Sequence, residues 1–200
     1  MNKPGALDLT SPFMWGHVYI VDNDTKEVLA DTFNQIHSEN MSVAMAMALA
    51  QQQGGFIQQM AFGNGGSIVS GSGAITYFPP NTSNSSAALY NETYRKVVNN
   101  QSPADQDTSM NFMVVNHTAN TTYSDLIITC TLDYSEPAGQ EAFDDASDVD
   151  GTYVFDELGL VSYNVDPTLG SLLTHVIFNP IQKSLNRQIE IVYTIRISLV

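Results

Sequence analysis

The chain has 200 residues, of which 43% are hydrophobic and only 14% charged, and its net charge at neutral pH is −14. This length and composition indicate a single folded domain and argue against a disordered chain or a membrane protein. The excess of 21 acidic over 7 basic residues argues against nucleic acid and against an anionic membrane surface as partners. Asn, Ser, Thr and Gln replace much of the charge, which favours β-strands joined by polar loops.

The first residues differ from the segment that follows them. Residues 1–13 contain Pro4, Gly5 and Pro12 without a periodic pattern, so we expect a flexible arm. "WGHVYIVDNDTKEVL" (15–29) predicts a β-hairpin that turns at Asn23-Asp24. The start lacks the apolar segment of a secretory signal, and we expect a soluble chain made in the cytoplasm.

A single helix is predicted at about 39–53, within "HSENMSVAMAMALAQQQGG". Ser38 is the expected N-cap, and Gly54-Gly55 is the expected stop. The helical spacing places five apolar residues on one face: Met41, Ala44, Met45, Ala48 and Leu49. We interpret this face as core packing against a sheet, and a partner-binding groove is the alternative.

The glycine-rich stretch "MAFGNGGSIVSG" (60–71) invites comparison with phosphate-binding loops. A Walker loop requires a lysine, yet the chain has none between Lys26 and Lys96. A dinucleotide fingerprint requires a following helix, whereas β-forming residues follow here. We therefore predict a turn between strands, with glycines supplying positive φ angles.

Strand patterns dominate the rest of the chain. In the last segment, apolar residues alternate with mostly polar ones at Ile189, Ile191, Tyr193, Ile195 and Ile197, which indicates a strand with one buried face. "LYNETYRKVVNN" (89–100) fits either a short helix or a twisted strand. The sequence thus predicts a mainly β fold: one antiparallel β-sandwich domain, jelly-roll-like, over residues 14–200 with one amphipathic helix. Cys130, in an apolar run, is expected to be a buried thiol.

No local pattern indicates catalysis, a metal or a cofactor. The four histidines (His17, His37, His117 and His175) have no metal-ligand spacing, and a single cysteine excludes a cysteine-based zinc site. The acidic run 144–150 is interpreted as a solvated loop, with a calcium site as the alternative. We expect no enzyme; a hydrolase that combines this loop with His175 is the remaining catalytic hypothesis.

Three motifs occur in a defined order: "MAFGNGG" (60–66), "LYNETYRKVVN" (89–99) and "FDELGLVS" (155–162). Together they resemble the phage tail-collar fibre family, with its M-A-x-G-[DN]-G turn, its L-x-N-E-x-Y-R-x-x-V-N segment and its later x-E-[IL]-G-L-[FY] strand. The resemblance spans roughly residues 40–165. The matching positions are Met60, Ala61, Gly63, Asn64, Gly65, Leu89, Asn91, Glu92, Tyr94, Arg95, Val98, Asn99, Glu157, Leu158, Gly159 and Leu160.

The resemblance implies a structural protein of a tailed-bacteriophage virion, because the family attaches fibres to the particle. The chain lacks a repetitive fibre shaft, so we expect an adaptor subunit of the tail, collar, neck or baseplate that contacts other virion proteins and copies of itself. A capsid decoration protein is one alternative. A receptor- or carbohydrate-binding module is another, and its candidate stacking residues are aromatic side chains for which we favour core packing: Tyr77, Phe78, Tyr90, Tyr94 and Tyr153.

Overall fold

The computed structural model describes residues 12–105, 107–137, 153–184 and 186–199. Across these ranges the chain forms eleven strands and one helix. In chain order these are β1 Pro12–Asp22, β2 Val28–Ile36, α1 Ser38–Leu49, β3 Ile57–Gly63, β4 Ser67–Val69, β5 Ile75–Tyr77, β6 Glu92–Val97, β7 Phe112–His117, β8 Tyr123–Leu132, β9 Tyr153–Ser162, β10 Thr174–Lys183 and β11 Ile189–Leu199. The prediction of a mainly β chain with one helix is confirmed.

Nine strands form one antiparallel sheet in the order β6-β3-β9-β10-β2-β1-β11-β8-β7, and β4 pairs with β5 as a separate hairpin. The large sheet curls, and its two halves are joined where β10 meets β2. That junction has only two residue pairs, Thr174 with Ile36 and His175 with Gln35. The sandwich-like arrangement therefore consists of two halves of one sheet that face each other across the core.

Strand β11 lies at the centre of one half. It pairs with β1 from Pro12 opposite Leu199 to Asp22 opposite Ile189, and on its other side it pairs with β8. Its side chains alternate between buried and half-buried positions, as the sequence predicts. The β1–β2 hairpin and its turn at Asn23-Asp24 also form as predicted.

The main core contains side chains from both halves of the sheet. Phe62 of β3 and Phe155 of β9 pack edge to face at 5.5 Å, and Tyr193 of β11 is buried in the same core. Cys130 is buried there as predicted, and its burial raises the pKa of the thiol to about 12. These shared contacts make the two halves one packing unit.

Helix α1 differs from its prediction in three respects. It ends at Leu49 instead of residue 53, and Gln51 has a φ of 54°, which is incompatible with continued helix. His37, rather than Ser38, is the N-cap, because its Nδ1 accepts the Asn40 N–H at 3.1 Å. The apolar face is only half used: Met41 and Ala44 are buried, whereas Ala48 and Leu49 at the other end are exposed.

The prediction of a flexible arm over residues 1–13 is wrong for its last two residues. Pro12 and Phe13 belong to β1 and pair with β11, while residues 1–11 lie outside the described residues. The acidic run 144–150 also lies outside them, so its calcium hypothesis stays a prediction. Within the described ranges, no helix has the length and apolar character needed to cross a membrane.

Candidate functional site

The three motif segments meet at one buried carboxylate, Glu157 on β9. One of its oxygens accepts the backbone N–H groups of Gly65 and Asn91, at 3.1 and 2.8 Å. The other accepts the Tyr90 N–H and faces His175 Nε2, both at 2.9 Å. The Glu157 and His175 side chains are fully buried. A single side chain thus joins the turn after β3, the start of β6 and strand β10.

The two contacts of His175 fix the orientation and the tautomer of its ring. Its Nδ1 accepts the Asn81 backbone N–H at 2.8 Å and must therefore carry a lone pair. We accordingly assign the proton to Nε2, which donates to Glu157. Burial alone raises the pKa of Glu157, but the donors from His175, Asn91 and Tyr90 outweigh it and hold that pKa below its usual value. With both ring nitrogens and both carboxylate oxygens engaged, the pair is built to anchor chain segments.

The glycines of the turn permit close approach to this network. A Cβ on Gly63 would lie 2.5 Å from both the Asn91 carbonyl oxygen and a Glu157 oxygen, and one on Gly65 would lie 2.7 Å from the Asn91 nitrogen. The predicted turn is confirmed, but the predicted reason is wrong, since no glycine of this stretch has a positive φ. The contacts come from distant segments of the chain, and a local pattern does not reveal them.

Asp156, the neighbour of Glu157, anchors the next part of the chain. Its carboxylate accepts the Gly66 N–H at 2.9 Å and the Ser67 hydroxyl at 2.5 Å. Burial raises the pKa of Asp156 despite these donors. The Phe78 N–H donates to the Gly66 carbonyl at 2.9 Å and closes the base of the β4–β5 hairpin. Two adjacent acidic residues therefore fix the base of this hairpin to the sheet.

The hairpin and the residues beside it carry exposed apolar side chains on both faces of the hairpin, which we together call the hairpin patch: Ile68, Val69, Ile75, Tyr77, Phe78 and Tyr90. Phe78 and Tyr90 contact each other with ring centroids 5.3 Å apart, and the centroids of Tyr90 and His175 lie 5.7 Å apart with the rings tilted by 50°. The Tyr90 hydroxyl donates to the Pro79 carbonyl at 2.7 Å. The favoured core interpretation of these aromatic residues is wrong for Tyr77, Phe78 and Tyr90, since more than a third of each is exposed.

The remaining motif residues make packing, ion-pair and hydrogen-bond contacts in and beside the strands around Glu157. Gly159 lies opposite Ala61, and a Cβ on it would meet the Thr174 carbonyl oxygen at 2.3 Å. Arg95 and Glu92 on β6 form an ion pair at 2.5 Å, and the Asn91 amide donates to Asn64 Oδ1 at 2.5 Å. Three further positions pack as apolar side chains: Leu160 in the main core, Leu89 with Ala61 in a smaller cluster, and half-buried Tyr94 beside Phe62. The side chain of Tyr153 lies outside the described residues.

The other histidines make structural contacts in separate places. His17 pairs with Asp31 at 2.6 Å on the surface, and His37 caps α1. His117 Nδ1 lies 3.0 Å from the Tyr123 carbonyl oxygen. Among the residues that the structure describes, no three His, Cys, Asp or Glu side chains are grouped so as to hold a metal ion.

A second polar cluster connects β6, β10 and the segment after β8, and it lies beside a cavity of about 330 Å³ that Lys96, Asp133 and Glu136 help to line. Lys96, on the cavity wall, donates to the Thr131 carbonyl at 2.6 Å and pairs with Glu136. Lys183 is fully buried nearby and donates to the carbonyl oxygens of Asp133 and Ser184, at 2.9 and 3.0 Å. Burial lowers the pKa of Lys183 to about 8. Protein groups satisfy both ammonium groups, which gives this cluster a structural role.

Sequence reasoning missed Asp156 and the Glu157–His175 pair as a unit. One available signal was the Asp-Glu pair inside the apolar strand "TYVFDELGLVSY", because acidic side chains in a buried strand require donors. The identity of the donors had no sequence signal, since Asn81, Tyr90 and His175 reach Glu157 or its histidine from separate segments.

Comparison with known proteins leaves the geometry as the basis for interpretation. No protein-family model, no curated protein and no solved structure matches the chain.

Proposed function

We propose that the chain is a structural subunit of a tailed-bacteriophage virion, an assembly or adaptor subunit of the tail, collar, neck or baseplate that acts through protein–protein contacts. The observation that carries the proposal is the meeting of the three resemblance motifs at Glu157. Residues from all three motifs, Gly65, Asn91 and Glu157, are in direct hydrogen-bond contact. This convergence supports a common structural purpose for motifs that lie far apart in the sequence.

The surface that the network supports is suited to assembly. The hairpin patch is apolar, and two-stranded hairpins are only marginally stable by themselves. Here Asp156 and Glu157 fix its base, so the patch is presented with a defined geometry. Apolar surface presented in this way is typical of protein–protein interfaces. Contacts of this kind would join the subunit to neighbouring virion proteins.

The test is the composition and structure of purified phage particles from cells that carry this sequence. Mass spectrometry of the particles is expected to detect the chain, and cryo-electron microscopy is expected to place it in a ring at the tail or neck. Absence of the chain from purified particles would refute the proposal. Density on the capsid lattice would instead favour the decoration protein.

A pair of matched variants tests the role of the hairpin patch. Val69→Lys places a charge in the patch, whereas Val165→Lys places the same charge at another exposed valine. We expect Val69→Lys to reduce incorporation into particles at least tenfold and Val165→Lys to leave it unchanged. Equal incorporation of both variants would remove the patch from the assembly proposal.

A carbohydrate-binding module is the second candidate, favoured by the exposed contact between Phe78 and Tyr90. Aromatic faces at a surface are suited to stacking against sugar rings. The test is a glycan-binding screen with the purified chain, followed by Tyr90→Ala and, as a control, Phe33→Ala at an exposed aromatic residue of β2. Binding that is lost only in Tyr90→Ala would favour this candidate, and absence of binding to any glycan would reject it.

A further inference from the structure

The nine-stranded sheet has two edges, β6 and β7, and they differ in their protection. Strand β6 carries Glu92, Arg95 and Lys96, and its ladder with β3 is irregular between Phe62 and Gly63. Charges and irregularities of this kind prevent an edge strand from pairing with other chains. Strand β6 is therefore a protected edge.

Strand β7 has none of these features. Its ladder with β8 is regular over its whole length, from Phe112 to His117. The sequence contains no Asp, Glu, Lys or Arg from Thr108 to Ser124, in a chain whose net charge is −14. Val114 and Val115 are exposed, and Val115 retains 71% of its accessible surface. An exposed, regular and uncharged edge is a template for an additional strand.

We propose that two copies of this chain pair through their β7 strands, antiparallel and around a two-fold axis at Val115. This inference rests on the proposed assembly function, because it names one of the contacts by which that subunit would associate. It extends the nine-stranded sheet of each copy into one continuous sheet across the dimer.

The register follows from the direction of the backbone groups. The Met113 N–H donates to the Asn100 side chain at 3.4 Å, so it points away from β8. Alternation along an antiparallel strand then directs the N–H and C=O groups of Val115 and His117 outward as well. With the axis at Val115, its N–H and C=O groups meet those of Val115 in the second copy. Met113 then lies opposite His117 of the second copy, and the Asn100 side chain must release the Met113 N–H for this outer pair to form.

A second copy fits this edge better than an unrelated strand for two reasons. Two acidic molecules repel each other least where neither carries charge, and Thr108 to Ser124 is such a stretch. In addition, β7 is the one open edge of the nine-stranded sheet as the structure describes it, since β6 is protected. Pairing through a single open edge closes after two copies and does not continue into a fibre.

Apolar surface continues past the end of the strand. A groove of about 570 Å³ lies there, lined by His117, Leu49 and Leu199 among others. Leu49 and Leu199 are both exposed. Standard interfaces bury about 1,600 Å² in total. In the proposed dimer, this groove adds apolar area to the area that a pair of five- or six-residue strands buries.

Analytical ultracentrifugation of the purified chain over a range of concentrations tests the proposal. We expect the wild-type chain to form a dimer that dissociates on dilution. Val115→Lys places two like charges opposite each other at the axis and is expected to raise the dissociation constant at least tenfold. Val165→Lys adds the same charge at an exposed valine outside β7 and outside the hairpin patch, and it is expected to leave dimerisation unchanged. Circular dichroism verifies that each variant is folded.

A charge-exchange experiment identifies the axis itself. Val115→Glu alone is expected to be monomeric, like Val115→Lys, and an equimolar mixture of the two is expected to recover the dimer as a heterodimer. A wild-type chain that stays monomeric at the highest concentration would overturn edge pairing, as would a dimer that Val115→Lys does not weaken. Either result leaves the virion proposal to its own test, the presence of the chain in purified particles.

Discussion

A buried carboxylate is stable only where donors replace the water that it has lost, and Glu157 has four such donors. Three of them are backbone N–H groups, which belong to the loops beside β3 and β6. The carboxylate therefore determines the position of the main chain, and His175 is fixed in turn by Asn81. The energetic role of this residue should exceed that of any exposed acid in the chain.

Replacing Glu157 by Gln tests this role. The amide has the same shape, but its NH2 group faces N–H donors, and we expect the free energy of unfolding to fall by about 3 kcal/mol. The control is Glu92→Gln, which removes an ion pair with Arg95 near the surface and is expected to cost about 0.5 kcal/mol. Urea denaturation measures both. Equal losses would contradict the anchoring role.

The close approach at Gly65 gives a second prediction. Gly65→Ala would place Cβ 2.7 Å from the Asn91 nitrogen and 2.8 Å from Tyr90 Cβ, and we expect a loss of about 2 kcal/mol. Gly71→Ala meets nothing within 4 Å and is expected to be neutral or to stabilise by about 0.5 kcal/mol. The free energies of unfolding from urea titrations provide the comparison. If Gly71→Ala were as damaging as Gly65→Ala, close approach would not be the reason for these glycines.

Buried Lys183 predicts a dependence on alkaline pH. Its pKa is lowered to about 8 in the folded chain, whereas an unfolded lysine has a pKa of about 10.4. Between these values the unfolded state binds more protons at this lysine, so Lys183 contributes a rise in stability as pH increases from about 8 to about 10. The buried Cys130 thiol, whose pKa is raised to about 12, contributes a fall in the same range, and the comparison of variants isolates the lysine. Lys183→Met should lose this rise, and Lys26→Gln at an exposed lysine should retain it. Urea denaturation at a series of pH values measures the slopes, and identical slopes in all three chains would contradict the assignment.

At the scale of single residues, the sequence predicted where a buried residue or a turn lies better than it predicted the contacts that explain it. The buried state of Cys130 follows from its apolar run, and the turn at Gly63–Gly66 follows from its composition. The partners of Glu157 could not be predicted, because hydrogen bonds between distant segments depend on the sheet order. The His37 cap was missed because serine is the commoner cap residue, whereas here the imidazole is fixed by a second contact to the Asn84 carbonyl at 2.6 Å.

At the scale of elements, regular patterning determined which predictions were confirmed. The alternation in β11 is nearly complete, and the strand forms over Ile189–Leu199, which includes all five alternating positions. The segment at residues 89–100 allowed two interpretations, and it forms β6 because it pairs with β3. Helix α1 was predicted too long because its expected stop was Gly54-Gly55, whereas the helix ends at Leu49 and Gln51 has a φ of 54°.

The apolar face of α1 is buried near the start of the helix and exposed at its end. We therefore expect substitutions near the start to lower the free energy of unfolding more than substitutions at the end. Met41→Ala leaves a cavity in the main core and is expected to lower the free energy of unfolding by about 2–3 kcal/mol. Leu49 retains 87% of its accessible surface, and at concentrations where the chain is monomeric Leu49→Ala is expected to change stability by less than about 0.5 kcal/mol. Thermal and urea denaturation measure both variants. A large loss in Leu49→Ala would mean that the C-terminal turn is covered in solution.

At the scale of the whole molecule, the class of the fold was predictable, whereas the joining of its two layers into one sheet was not. Short strands with turn signals indicate an antiparallel sandwich, and that prediction is confirmed. The sequence did not reveal that both layers belong to one sheet, because the β10–β2 junction depends on only two residue pairs. The virion role and its partners stay proposals, argued from motifs and surface.

The shared core predicts a single cooperative unfolding transition. Trp15 is the only tryptophan and lies on β1, so its fluorescence reports on one half of the sheet. Far-UV circular dichroism reports on all strands. We expect the two signals to change at the same urea concentration, because the main core contains residues of both halves. Two separate midpoints would show that the halves unfold independently across the β10–β2 junction.

During synthesis, the position of β11 between β1 and β8 imposes a delay. The ribosome completes β8 at Leu132 but reaches Leu199 only several seconds later, at about 5–20 residues per second. Until then β1 and β8 lack the strand that joins them, and a chain that stops before Ile189 never receives it. Truncated products therefore cannot close the sheet and are open to proteolysis. The pairing of β1 with β11 thus makes the folded state depend on synthesis that has passed Leu199.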